Sequence, residues 1–151
     1  MLIEIDDPAR ADIAALLAEH LADMFATSPA ESVHALDVAS LKVPEITFFA
    51  ARDGEFLLGV GALKALDPTH VEIKSMRTTA AARGIGVGRA MLVHLIARGR
   101  ASGYLRISLE TGAEDYFAPA RRLYEQNAFV VCGPFGSYVP DPNSVFMTLE
   151  L

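Results

Sequence analysis

The segment Arg83-Gly84-Ile85-Gly86-Val87-Gly88-Arg89-Ala90 holds the residue types that diphosphate chemistry needs. Val71–Thr78 before it is strand-like, with a bulky residue at most alternate positions, and Met91–Arg98 after it reads as a helix. A glycine-rich turn at a helix N-terminus aims several unpaired backbone N–H groups at one point. The positive end of the helix dipole lies there too, so the turn is an anion site suited to phosphate. Glycines at 84, 86 and 88 remove the side chains that would hold a diphosphate away from the backbone. Arg83 and Arg89 can add charge-assisted bonds at its edges. A P-loop needs Gly-Lys-Ser/Thr, whereas Gly88 is followed by Arg89-Ala90. A dinucleotide fingerprint needs G-x-G-x-x-G, and counting from Gly84 its last position falls on Arg89.

The pattern that fits is Q/R-x-x-G-x-G/A, matched at every fixed position by Arg83 to Gly88. It resembles motif A of the GNAT superfamily of acyl-CoA-dependent N-acyltransferases. The resemblance implies that Arg83, Gly84, Ile85, Gly86, Val87, Gly88 and Arg89 hold the diphosphate of coenzyme A. A second segment, Ala120-Arg121-Arg122-Leu123-Tyr124-Glu125-Gln126-Asn127-Ala128-Phe129, is similar to the family's A-x-x-L-Y-E-x-x-G-F. Two positions depart from it. Ala128 stands at the usual glycine, so Asn127 is expected to take the left-handed conformation that ends the helix. Phe117 stands where the family often has an asparagine that touches the cofactor.

Acyl transfer to an amine requires a base for the ammonium, a donor for the developing oxyanion and a proton for the leaving thiolate. The resemblance supplies a candidate for each. Glu72 lies eleven residues before Arg83, the spacing of the family's strand glutamate, and would act as base directly or through a water. On an unbroken strand Glu72 shares a face with Met76. The alternative is a solvated strand carboxylate or a partner for Lys74. Met76-Arg77-Thr78 is where the family's motif A strand splays from its neighbour, offering an oxyanion N–H and an edge for the pantetheine arm. Tyr124 would protonate the thiolate, since a phenol of pKa near 10 can do so. Otherwise it is core.

The acceptor would meet segments that the motifs do not fix, residues 28–37 and 133–143. Both are too long and polar for simple connections. His34, Asp37 and Tyr138 could bind a small amine, and Arg77, if it projects inward, a substrate carboxylate. His94 and His20 read as helix-surface residues, and His70 as ambiguous at a strand start. Arg121-Arg122 reads first as a solvated helix face. Cys132 reads as a small apolar residue near a strand. No His, Cys and carboxylate group has metal-ligand spacing, so no metal is expected.

The elements that must position these groups follow from local patterns. Leu2–Ile5 is a strand, and Asp7 and Pro8 are expected to open a helix whose stripe is Ile13, Leu16, Leu17, Leu21 and Met24. Thr27 to Pro44 is polar and broken, with a helical turn or two around Val33–Leu41. Strands Glu45–Arg52 and Glu55–Leu66 meet at Asp53-Gly54, the strongest hairpin signal in the chain. After Val71–Thr78 and the helix that Gly103 ends come Tyr104–Glu110, a helix over Pro119–Asn127, and strands Phe129–Cys132 and Ser144–Leu149. The order β-α-β-β-β-α-β-α-β-β fits a single GNAT-like α/β (α+β) domain over residues 1–151, with a mixed, mostly antiparallel sheet flanked by helices. The chain is 52% hydrophobic, but no apolar run is long enough to span a bilayer. Its start lacks signal-peptide character, and its one cysteine excludes an intrachain disulfide, so a cytoplasmic setting is expected. A net charge of −6 argues against nucleic acid and is compatible with a cationic amine. The apolar C-terminal strands are compatible with a homodimer. The expected activity is N-acetyl transfer from acetyl-CoA to a primary amine of a small or amino-acid-like acceptor, by direct attack in a ternary complex. From another class comes a non-catalytic coenzyme A sensor of the same fold.

Overall fold

Asp53-Gly54 turns the chain with Gly54 at φ +57°, joining Ile46–Asp53 (β2) to Phe56–Asp67 (β3). The computed structural model describes residues 1–151. Ahead of the hairpin lie Leu2–Ile5 (β1), Ala11–Thr27 (α1) and a single turn of helix at Val38–Leu41 (α2). After it come His70–Thr78 (β4), Val87–Ala101 (α3), Arg106–Gly112 (β5), Ala118–Gln126 (α4), Val130–Cys132 (β6) and Ser144–Glu150 (β7). All strands join one sheet of order β1-β2-β3-β4-β5-β7-β6. Only β4 and β5 run parallel; every other pair is antiparallel. This is the mixed, mostly antiparallel architecture expected, and α2 falls within the stretch 33–41 where a helical turn is expected.

Alternation along the central strands sends side chains to two cores. Phe48, Ala50, Val60 and Ala62 pack on Ile13, Leu16 and Leu17 of α1. Phe49, Ala51, Leu63, Val71 and Ile73 pack on Met91, Leu92 and Leu95 of α3. Gly61 lets α3 come close, since a Cβ there would lie 2.9 Å from Met91 Cγ.

Two irregularities shape the site. Ala62 pairs with Lys74 and Val60 with Arg77, so Ser75 and Met76 together oppose the single residue Gly61. Ser75 takes φ +53° to make this bulge. The extra residue reverses the alternation beyond it. Glu72, Lys74 and Arg77 therefore face α1, whereas Met76 packs with Ile73 on the α3 side. The expectation that Glu72 and Met76 share a face is overturned by the bulge. In the second irregularity, β4 pairs with β5 only at His70–Arg106, Val71–Ile107 and Glu72–Ser108. Beyond Glu72 the strands part while β5 continues along β7 to Gly112–Ser144, leaving a wedge.

Two helix ends differ from expectation. Asp7 does not cap α1: its carboxylate accepts from Ala9 N (2.8 Å) in a preceding turn, and the helix starts at Ala11. At the end of α4 the left-handed residue is Ala128 (φ +72°), whereas Asn127 sits at φ −105°. Closure of Phe129 N on Tyr124 O (3.1 Å) sets the reversal at 128. The Asn127 side chain instead donates to Leu123 O (2.8 Å).

Candidate active site

The turn before α3 has the geometry of an anion nest. Gly84 and Gly86 lie at φ +79° and +89°, where a side chain would be strained. The N–H groups of residues 84–89 donate to no acceptor in the protein, and the first amide bond of the helix is Ala90 N to Gly86 O (3.0 Å). Six consecutive free donors at the start of a 15-residue helix fit a diphosphate. Ile85 is exposed and Val87 is buried beneath the turn, so these two can offer only their main chain. Gly88 packs beside Leu123. Arg83 and Arg89 are exposed at the rim, and Arg83 lies 3.7 Å from Glu19.

The wedge between β4 and β5 opens toward this turn as a cavity of about 370 Å³. Residues 72–78 form one wall and 109–112 another, with α1, the segment 32–35, the start of α4 and Asn143 closing the rest. The β5-facing edge of Met76-Arg77-Thr78 has no strand partner, so its main chain is open along the wedge.

Glu72 is 2% exposed and accepts from the Tyr138 hydroxyl at 2.5 Å. Lys74 Nζ lies 3.4 Å from the same carboxylate and donates to Tyr138 Oη (2.9 Å) and His34 O (3.3 Å). The Tyr138 ring meets His34 edge-on at 4.9 Å. Glu72, Tyr138 and His34, separated widely in the chain, thus form one group. Burial, followed by the Glu72 charge, raises the Tyr138 phenol, which keeps its proton.

Tyr124 lines the cavity from α4 and is buried. Burial, with a smaller contribution from Glu110, pushes its phenol up to about 12. It is therefore protonated at neutral pH.

Other expected residues are placed differently. Asp37 accepts from Ser40 N (2.8 Å) as the N-cap of α2, and it does not line the cavity. Arg77 does project inward, but its Nη2 already meets Glu19 (2.6 Å) and Asp23 (2.5 Å). Arg121 turns inward to donate to Gly112 O (2.6 Å) and Glu114 O (3.0 Å). Phe117 is buried on the cavity wall. His94 is half-buried, with its ring edge-on to Phe49. Cys132 is half-buried and free.

Two site residues escape the sequence reading. His20 is no surface residue: it lines the cavity beside Arg77, and burial, then the Arg77 charge, lowers its pKa to about 4. Glu110 lies two residues past the last β4–β5 pair, on the face that carries Glu72. Its carboxylate is pushed up to about 7, first by burial, then by the Glu72 and Asp141 charges; the Ser144 hydroxyl and Lys74 offset this in part. The alternation Arg106-Ile107-Ser108-Leu109-Glu110 was the available signal, since it turns Glu110 to the polar face.

Comparison with known proteins agrees with this geometry. The family model described as the acetyltransferase (GNAT) family matches residues 13–129. The uncharacterized N-acetyltransferase YsnE of Bacillus subtilis strain 168 is 50% identical over 151 residues, covering 100% of both chains. A crystal structure from Klebsiella pneumoniae, assigned as an acyl-CoA N-acyltransferase, superposes with a TM-score of 0.83 at 28% identity, covering 99% of this chain and 97% of its own. A Bacillus subtilis acetyltransferase solved in complex with CoA shares the fold at a TM-score of 0.73 and 18% identity, covering 99% and 97%. With a turn of free amides, a splayed strand pair and these relatives, the chain belongs to the GNAT family and is an acyl-CoA-dependent N-acyltransferase.

Proposed function

We propose that residues 1–151 act as one N-acetyltransferase domain that moves an acetyl group from acetyl-CoA to a primary amine of a small or amino-acid-like acceptor. The observation that carries this reading is that Arg83, at the head of the free amides of residues 84–89, lines a wedge that also holds two carboxylates. The amides, Arg83 and Arg89 hold the diphosphate of the cofactor, and a Bacillus subtilis protein of the same fold was solved in complex with CoA. The open edge of Met76-Arg77-Thr78 pairs with the pantetheine arm and presents an N–H to the thioester oxygen. That donor stabilises the oxyanion as it forms.

The acceptor enters from the side of residues 32–35 and the β6–β7 loop, where Glu72, Glu110, Tyr138 and His34 gather. Its ammonium loses a proton to this carboxylate pair, directly or through a water. The free amine attacks the acetyl carbon: the C–N bond forms, the C–S bond breaks, and Tyr124 delivers a proton to the departing sulfur. A phenol held near 12 keeps its proton until a thiolate develops beside it. Attack is direct, in a ternary complex, because Cys132 lies on β6 away from the cavity-lining residues. A cytoplasmic setting and a small-molecule partner fit this reading.

The test is thiol release from acetyl-CoA across a panel of ethanolamine, tyramine, agmatine, glycine, lysine and 3-aminopropionate, with mass spectrometry of the product. An amide product with at least one amine supports the reading. Coenzyme A binding with no acetylated product from any amine overturns it.

A further inference from the structure

We infer that the two carboxylates have separate tasks: Glu110 meets the acceptor nitrogen and takes its proton, whereas Glu72 is a positioning residue that fixes Tyr138 and Lys74. This division rests on the N-acetyltransferase reading above. The first observation is occupancy. Glu72 is almost wholly buried, and its carboxylate is engaged by the Tyr138 hydroxyl at 2.5 Å and by Lys74 at 3.4 Å. Both contacts fall on one oxygen, Oε2, so a substrate proton taken by this carboxylate would neutralise the anion that holds both partners.

Glu110 is the reverse case. Both carboxylates line the cavity, but Glu110 is half-buried and forms no ion pair. Its main chain lies past Ser108, the last residue paired with β4, so its carboxylate stands where the strands have opened. The charged and titratable groups facing it are Glu72 and Lys74 from β4, Tyr124 from α4, and Tyr138 and Asp141 from the β6–β7 loop; His34 lies behind Tyr138. Carboxylates outnumber cations in this set. A half-buried carboxylate among like charges gains by binding a proton or an ammonium, and a value near 7 suits a group that accepts a proton at neutral pH.

Glu72 acts instead through the loop. Tyr138 contacts Phe135, Phe146 and His34, so the Glu72–Tyr138 bond ties residues 133–143 to β4. The Ser32–Asp141 bond (2.6 Å) ties the same loop to the α1–α2 connection. Together these place the acceptor wall opposite Glu110. In the reaction Glu110 takes one proton from the ammonium. The nitrogen's second proton ends on sulfur, relayed by the Tyr124 phenol, and Glu110 returns its proton to water as product leaves.

The experiment has a substrate-free arm and a kinetic arm. Glutamate side-chain carboxyls are labelled with carbon-13 and titrated by NMR in wild type, E110Q, E72Q and Y138F. One glutamate titrating near 7 is expected in wild type, lost in E110Q and retained in Y138F, which covers the case in which E72Q does not fold. Kinetics use two acceptors of the amine panel that differ in amine pKa. E110Q should lower kcat/KM by about 100-fold or more and remove the neutral inflection that both acceptors share. E72Q and Y138F should keep that inflection and raise the amine KM more than they lower kcat. A neutral titration that survives in E110Q, or an inflection lost in E72Q and kept in E110Q, overturns the division. Failure of the underlying reading looks different: wild type itself then yields no acetylated amine.

Discussion

Placing a carboxylate in the phosphate turn separates charge from backbone strain, provided that two variants are compared. Gly86 sits at φ +89°, and a Cβ built there meets nothing within 4 Å. Gly86→Ala therefore adds strain without a clash, costing about 1–2 kcal/mol of stability, a fall in Tm of roughly 3–6 °C for a chain of this size. Gly86→Glu adds the same strain plus a negative charge beside the six free amides of residues 84–89. Two unit charges 4 Å apart repel by about 1 kcal/mol in bulk water and by about 4 kcal/mol at the effective dielectric of a protein surface. A glutamate free to swing into solvent should lie between, at about 1.5–3 kcal/mol. Coenzyme A should thus bind Gly86→Glu about 10- to 100-fold more weakly than Gly86→Ala. Calorimetric titration of both folded variants, repeated at higher salt, reads this directly, and screening should narrow the gap. Equal affinities would mean that the diphosphate does not lie on this turn, and the site would have to be moved.

Three further outcomes follow from the geometry. Ala128→Gly relieves a left-handed alanine at φ +72° and should stabilise the fold by about 1 kcal/mol; a lower urea midpoint would show that the helix end closes differently. Tyr138→Phe takes the 2.5 Å bond from a buried Glu72 and should cost about 1–3 kcal/mol in urea unfolding, whereas no loss would mean the bond is not formed in solution. His20, at about 4 in the folded protein against an ordinary 6.5, binds its proton more readily when unfolded. Its contribution is complete above pH 6.5 and is lost as pH falls toward 4. A His20→Gln variant should therefore lose less stability between pH 7 and pH 4 than wild type; matching curves would contradict the burial of the ring.

Where function follows from local chemistry, it is legible in the sequence itself. Three glycines with flanking arginines require a turn of unpaired amides, whatever the sheet behind it does, and Asp53-Gly54 requires a hairpin. Glu72 was legible as a candidate by its distance from Arg83, but its surroundings were not. The Ser75–Met76 bulge depends on pairing with Gly61, a tertiary fact, and it sends Met76 away from Glu72. Glu110 was missed because its role arises from the splay, and no local pattern announces that β4 and β5 stop pairing after Ser108. His20 sits on an amphipathic helix whose polar side happens to border the wedge, so periodicity alone put it in solvent. Asp37 was offered as a binding residue when its side chain closes a single turn of helix. That acidic cap is ordinary helix-start chemistry.

The central claim is that the turn and the wedge together take acetyl-CoA. Calorimetric titration of the wild-type protein with acetyl-CoA, coenzyme A, ATP and NAD in parallel tests it most directly. Micromolar binding confined to the first two is the predicted result. Absence of binding to both, or equal binding of ATP that coenzyme A does not displace, would contradict the account, and the roles given to Glu72, Glu110 and Tyr124 would fall with it.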